Sequence, residues 1–155
     1  GYFQDRKYYH GFSETCVSQQ LQVLADELKI EVAKTETLLV HLRLGDFFKD
    51  RFQARSHVIQ RLSKIPTGSD VITNDEILLS DDCIQTAMCK RSISLIKTAQ
   101  ISPEELLRLM SKYKKIDTNG STLTFWASVL AGSCVKFSDV NLQNSQEYFI
   151  RLRNF

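Results

Sequence analysis

The chain has 155 residues, 43% apolar and 25% charged. This is the composition of a globular domain long enough to bury its own core. Twenty Lys and Arg against eighteen Asp and Glu leave a formal charge of +2, which gives no case for a nucleic-acid partner. No apolar run approaches the roughly 20 residues of a membrane span, and the polar start lacks the apolar core of a signal peptide.

In chain order, the first twelve residues are aromatic-rich (Tyr2, Phe3, Tyr8, Tyr9, Phe12) and read as a leading segment packed on the domain. Val17, Leu21, Leu24 and Leu28 then mark one stripe of a helix, capped by Ser13 or Thr15. Residues 37–42 form an apolar run without alternation, which suits a central parallel strand covered on both faces. A helix over 55–64 leads to a turn at Pro66 and Gly68. A strand over 70–73, a helix over about 76–89 and a strand over 92–96 follow.

Ser102, Pro103 and Glu105 then place a cap, a first-turn proline and a capping-box glutamate in register, with Leu106, Leu109 and Met110 as the buried stripe. Residues 115–118 predict a short strand. Asn119 and Gly120 turn the chain into a helix over 122–131 that Gly132 ends. Residues 134–137 are a last strand, and residues 141–155 hold one more helix with Tyr148, Phe149 and Leu152 facing inward. Strands alternating with helices predict one α/β domain over 1–155, a Rossmann-like, doubly wound, mostly parallel sheet.

Ligands of such sheets collect beyond the carboxyl ends of the strands, and three ends carry suitable residues. At His41-Leu42-Arg43-Leu44-Gly45-Asp46, the two-residue spacing points His41 and Arg43 to one face. Gly45 is expected to allow a sharp turn. An arginine there could grip a diphosphate with paired hydrogen bonds. Alternatively, Arg43 pairs with Asp46 as a clamp and His41 is a satisfied core histidine. At Thr73-Asn74-Asp75 a carboxylate could take up a purine or a ribose, or simply cap a helix. At Asn119-Gly120-Ser121-Thr122 a helix start offers free N–H groups, hydroxyls and a close approach at Gly120 to a phosphate, or an ordinary cap.

Other features read as structural. His57 falls on the polar side of its helix. Asp81 and Asp82 have no companions that would make a metal site. Phe125 and Trp126 are placed in the core. Cys16, Cys83, Cys89 and Cys134 form no C-x-x-C pair. They are expected to be buried or partly buried thiols of a reducing compartment, without zinc or redox function. No G-x-S-x-G, H-E-x-x-H or Walker-type loop occurs.

Taken together, the motifs resemble those of the α-1,2-fucosyltransferases, glycosyltransferase family 11. His41 to Phe47 is similar to the family's H-x-R-R-G-D-Y. Gly1-Tyr2-Phe3-Gln4 with Lys7-Tyr8-Tyr9 resembles G-Y-x-Q-x-x-K-Y-F. Residues 71–75 resemble a strand ending in S-D-D or S-N, and residues 105–113 the D-L-x-L-M-S-x-C helix. Residues 119–127 are similar to N-S-S-F-S-W-W-G-A. The resemblance covers residues 1 to about 137.

It implies one half of a GT-B enzyme that uses GDP-fucose, inverts the anomeric centre, and needs neither metal nor cofactor. Carried over by position, Arg43 would bind the β-phosphate and stabilise departing GDP. His41 and Asp75, with Asn74, would contact guanosine, and Ser121 and Thr122 would hold phosphate. Asp46 would shape the motif turn and is a candidate base. The acceptor would be a galactose-containing glycan.

Three departures are notable. Leu44 stands where the motif has its second arginine, Gly120 replaces the first serine of the signature, and the N-terminal acceptor-side half with its G-N-Q-like segment is missing. The chain alone is therefore expected to be inactive. Bacterial members would be cytoplasmic and peripheral to the inner membrane, and animal members would act in the Golgi lumen. The competing expectations are a fucosyltransferase of another H-x-R-x-G-D group with a different linkage, and a non-catalytic interaction module of the same fold.

Overall fold

The computed structural model describes residues 4–45, 48–118, 120–137 and 140–153. Asp46, Phe47 and Asn119 of the motifs above, and Gly1 to Phe3 of the leading segment, lie outside them.

Five strands form one sheet in the order β3-β2-β1-β4-β5, every pair parallel. They are β1 (Thr35–Leu42), β2 (Asp70–Thr73), β3 (Ser94–Leu95), β4 (Tyr113–Thr118) and β5 (Cys134–Lys136). Helices cover both faces, so the expected Rossmann-like α/β architecture is what the chain adopts. On one face lie α2 (Arg51–Lys64), α3 (Glu76–Leu79) and α4 (Asp82–Lys90), and on the other α1 (Glu14–Glu27), α5 (Pro103–Ser111), α6 (Thr122–Ala131) and α7 (Val140–Arg153).

β1 is central because it is apolar on both faces. Val40, Leu42 and Leu44 enter the core beneath α2, α3 and α4. Leu39 enters the larger core beneath α1, α5, α6 and α7. Parallel strands sandwiched in this way read as continuous apolar runs, which is why this strand was visible in the sequence. α6 is apolar nearly all round because α5 and α7 flank it while it covers the sheet. Its Phe125 is fully buried and meets Trp126 edge-on at 5.1 Å.

Several boundaries differ from expectation for local physical reasons. α2 begins four residues early because Asp50 caps it, accepting from the Phe52 N–H. The helix expected over 76–89 is two helices, because Asp81 accepts from the N–H groups of Cys83 and Ile84 and starts α4 afresh. In α1, Ser13 is the cap, and the buried stripe is Val17, Leu21 and Ala25, with Leu24 38% exposed. In α5 the capping box forms, but Leu107, Met110 and Ser111 are the buried residues while Leu106 and Leu109 are half-buried.

Cys83, Cys89 and Cys134 are exposed and Cys16 is half-buried, so the thiols are less buried than expected. His57 is half-buried, its ring 4.9 Å from that of Phe48, rather than on an open polar face. No helix among the described residues is long and apolar enough to cross a membrane.

Candidate functional site

The strand order has its switch point between β1 and β4. The chain leaves β1 toward α2 on one face and leaves β4 toward α6 on the other, so the loops diverge and leave room for a ligand. His41 lies near the end of the sheet, in a row of three strands where it pairs with Ile72 of β2 and Thr118 of β4.

Residue alternation puts His41 on the face of α5 and α6. It is only 7% exposed, and its Nδ1 lies 2.8 Å from Oγ1 of Thr124 in the first turn of α6. The Thr124 hydroxyl donates to Sδ of Met110 at 3.6 Å. Which of the two groups donates in the His41–Thr124 bond follows the tautomer of the ring. Burial, reinforced by the Arg43 charge, pushes the His41 pKa down to about 4, so the ring is neutral near pH 7. The satisfied-histidine alternative is therefore the observed state, although the ring still borders the cleft.

That cleft has a volume of about 350 Å³ and opens beyond the ends of β1 and β2, a size suited to a small ligand. His41, Asn74 and Asp75 line it together, with Glu76, Thr98 and Leu106 opposite. Of the residues singled out in the sequence, these three are brought together. Arg43, Ser121 and Thr122 do not line it. They stand at the ends of β1 and β4, linked to the cleft through the His41–Thr124 contact. Asp46 lies outside the described residues, so an Arg43–Asp46 clamp has no description here.

The side chains at the β2 end are engaged within the fold. Oδ1 of Asn74 accepts from the N–H of Leu44 at 2.7 Å and from that of Gly45 at 3.3 Å. Asp75 caps α3, accepting from the Leu78 N–H at 3.0 Å, and its Oδ1 is 3.4 Å from Nη2 of Arg51. The cap alternative is thus what Asp75 does. Glu76 and Thr98, unmarked in the sequence, prove to be part of the site. A Glu76 carboxylate oxygen accepts from the N–H groups of Thr98 and Ala99, and the Thr98 hydroxyl donates to the Thr73 carbonyl at 3.1 Å. Their only local signal was an acidic residue in the first turn of a helix. A sequence cannot show that the loop after β3 folds back onto it.

At the β4 end, Ser121 is the cap of α6, accepting from the Thr124 N–H at 3.4 Å. The N–H groups of Thr122 and Leu123, at the first two helical positions, have no acceptor within the helix. Gly120 sits at φ 104°, where side chains are strained, and a Cβ there would meet nothing within 4 Å. That backbone conformation by itself asks for glycine. At Gly45 neither conformation nor crowding asks for glycine. Its φ is not in that region, and a Cβ would stand 3.5 Å from Nδ2 of Asn74, an ordinary contact. The sharp-turn argument fails there.

Leu44 is 1% exposed in the core beneath α2. It is a packing residue in the core on the face opposite to the one that His41 enters.

This arrangement can accept a small polar ligand in the cleft and an anionic group near Arg43 and the start of α6. Comparison with protein-family models, with curated proteins and with solved structures finds no match to this chain.

Proposed function

We propose that the chain is the donor-binding domain of an inverting, metal-independent fucosyltransferase that takes GDP-fucose and transfers fucose to a galactose-containing glycan. The observation that carries this reading is the row of adjacent strand ends. A cleft bordered by His41, Asn74 and Asp75 lies at β1 and β2, and beside it Arg43 leaves β1 next to the strand that feeds the α6 start. Nucleotides bind at such switch points because diverging loops expose backbone N–H groups and leave space for a base.

In this reading the nucleoside part occupies the cleft. The diphosphate meets the Arg43 guanidinium and the N-terminal turn of α6, with Ser121 and Thr122 at its edge. Leaving-group catalysis is then electrostatic: a fixed guanidinium and a helix dipole offset the charge that grows on GDP as the glycosidic bond breaks. Asp46 is the candidate base within this chain, the rest of the acceptor site belonging to a second, N-terminal half. Action at a membrane surface, in the cytoplasm of a bacterium or the Golgi lumen of an animal, belongs to the same proposal.

The test is calorimetric titration of this chain with GDP, with UDP and ADP as controls. Selective GDP binding is expected to weaken by about 1.5–3 kcal/mol in Arg43→Ala, the scale of a hydrogen bond to a charged group. Equal affinity for the three nucleotides, or an unaffected mutant, would sink the assignment. A second reading, a non-catalytic interaction module, is favoured by the use of Asp75 and Ser121 as caps. Silence at millimolar GDP, here and in a longer protein carrying both halves, would select it.

A further inference from the structure

β1 and β2 end together: Leu42 pairs with Thr73 in the last rung of their ladder. Beyond it the N–H groups of Leu44 and Gly45 have no strand to bond, and a single side-chain oxygen, Oδ1 of Asn74, takes both. The Leu44 N–H belongs to the planar peptide that begins at the Arg43 carbonyl. Holding that plane fixes ψ of Arg43, and holding the next one fixes the turn that follows. The residues on either side of Asn74 in the chain are held in place. Asp75 caps α3, the Thr73 carbonyl accepts from the Thr98 hydroxyl, and Glu76 binds the N–H groups of Thr98 and Ala99. A group held this firmly can hold another.

We propose that Asn74 is a positioning residue that acts through Arg43, setting the direction in which the guanidinium leaves the end of β1, rather than a group that contacts ligand. The geometry stands on the hydrogen bonds alone, while its consequence for affinity rests on the donor-site reading above. The acceptor oxygen makes both of these bonds. Aspartate should therefore substitute for it and alanine should not.

The test uses the isotopically labelled chain in three forms: wild type, Asn74→Ala and Asn74→Asp. Amide exchange at Leu44 and Gly45 and the order of the Arg43 Nε–H group are read by NMR, followed by GDP titration. Asn74→Ala should speed exchange at both amides about tenfold, the equilibrium value of one net hydrogen bond, broaden or average the Arg43 signal, and weaken GDP severalfold. Asn74→Asp should restore exchange protection and Arg43 order, which a lost ligand contact would not do.

Unchanged exchange in Asn74→Ala would overturn the clamp. Faster exchange with Arg43 still ordered would overturn the positioning role. If neither this chain nor a longer protein carrying both halves binds GDP, the donor-site reading fails, while Arg43 order still decides the role of Asn74. If Asn74→Ala does not fold, the same signals in Asn74→Asp decide it, since loss of protection there contradicts the acceptor-only requirement.

Discussion

His41 shows how one residue can serve fold and site at once. Its neutral form is the one that fits, because burial and the Arg43 charge both oppose a second proton. The folded pKa, about 4, lies below the ordinary value of 6.5. The unfolded chain therefore binds more protons between these values, and stability falls as pH drops through that window. The shift corresponds to at most about 3 kcal/mol. Denaturant unfolding from pH 7.5 to 4 should show this loss, and His41→Gln should flatten it; equal slopes would show that other groups titrate.

Leu44 gives the complementary case. An arginine there would place a guanidinium in the core beneath α2. Near the strand end it can partly snorkel, so a loss of about 2–4 kcal/mol is expected. A thermal melt of Leu44→Arg measures it, and an unchanged melting temperature would mean that the side chain escapes to solvent. The sequence made both residues conspicuous by position, but not which core each would enter.

At the scale of elements, caps are where local sequence acted most directly. Ser102 and Glu105 form a reciprocal box with each other's backbone, legible because every group in it lies within four residues. Ser102→Ala should cost about 1 kcal/mol in equilibrium unfolding; a neutral result would show that packing of Leu107 and Met110 alone holds α5. Asp81 was legible as a pair with Asp82 but not as a helix start. Its cap bonds to the Cys83 and Ile84 N–H groups are local, while its ion pair with Arg55 of α2, whose Nε donates to it at 3.0 Å, comes from 26 residues away. That guanidinium also holds the Asp81 carboxyl below the usual range. Val17, Leu21 and Met110 are buried as expected, but Ala25 and Leu107 take the places expected of Leu24 and Leu106. Apolar periodicity locates a face only to within a residue's angular width, and neighbouring helices choose which edge of it is covered.

For the whole molecule, the two cores are unequal, and the larger one converges on Phe125. This ring is fully buried and stacks near Trp126, Phe137 and Phe149. Phe125→Ala should cost about 3–5 kcal/mol, a drop of roughly 10 °C in melting temperature. A much smaller drop would mean that α7 closes over the gap.

The alternation of apolar strands and amphipathic helices determined the α/β class, the five strands and their approximate bounds. Those features follow from local periodicity and capping, which a linear string records. Strand order, and with it the adjacency of the β1, β2 and β4 ends, required the folded chain, because it depends on which face each connection crosses. The Asp75 cap was open in the sequence as a local bond, but the use of Asn74 and Glu76 as braces was likewise decided there. Each of these polar side chains had several satisfying partners open to it in the sequence, and only packing brought one of them within hydrogen-bonding distance.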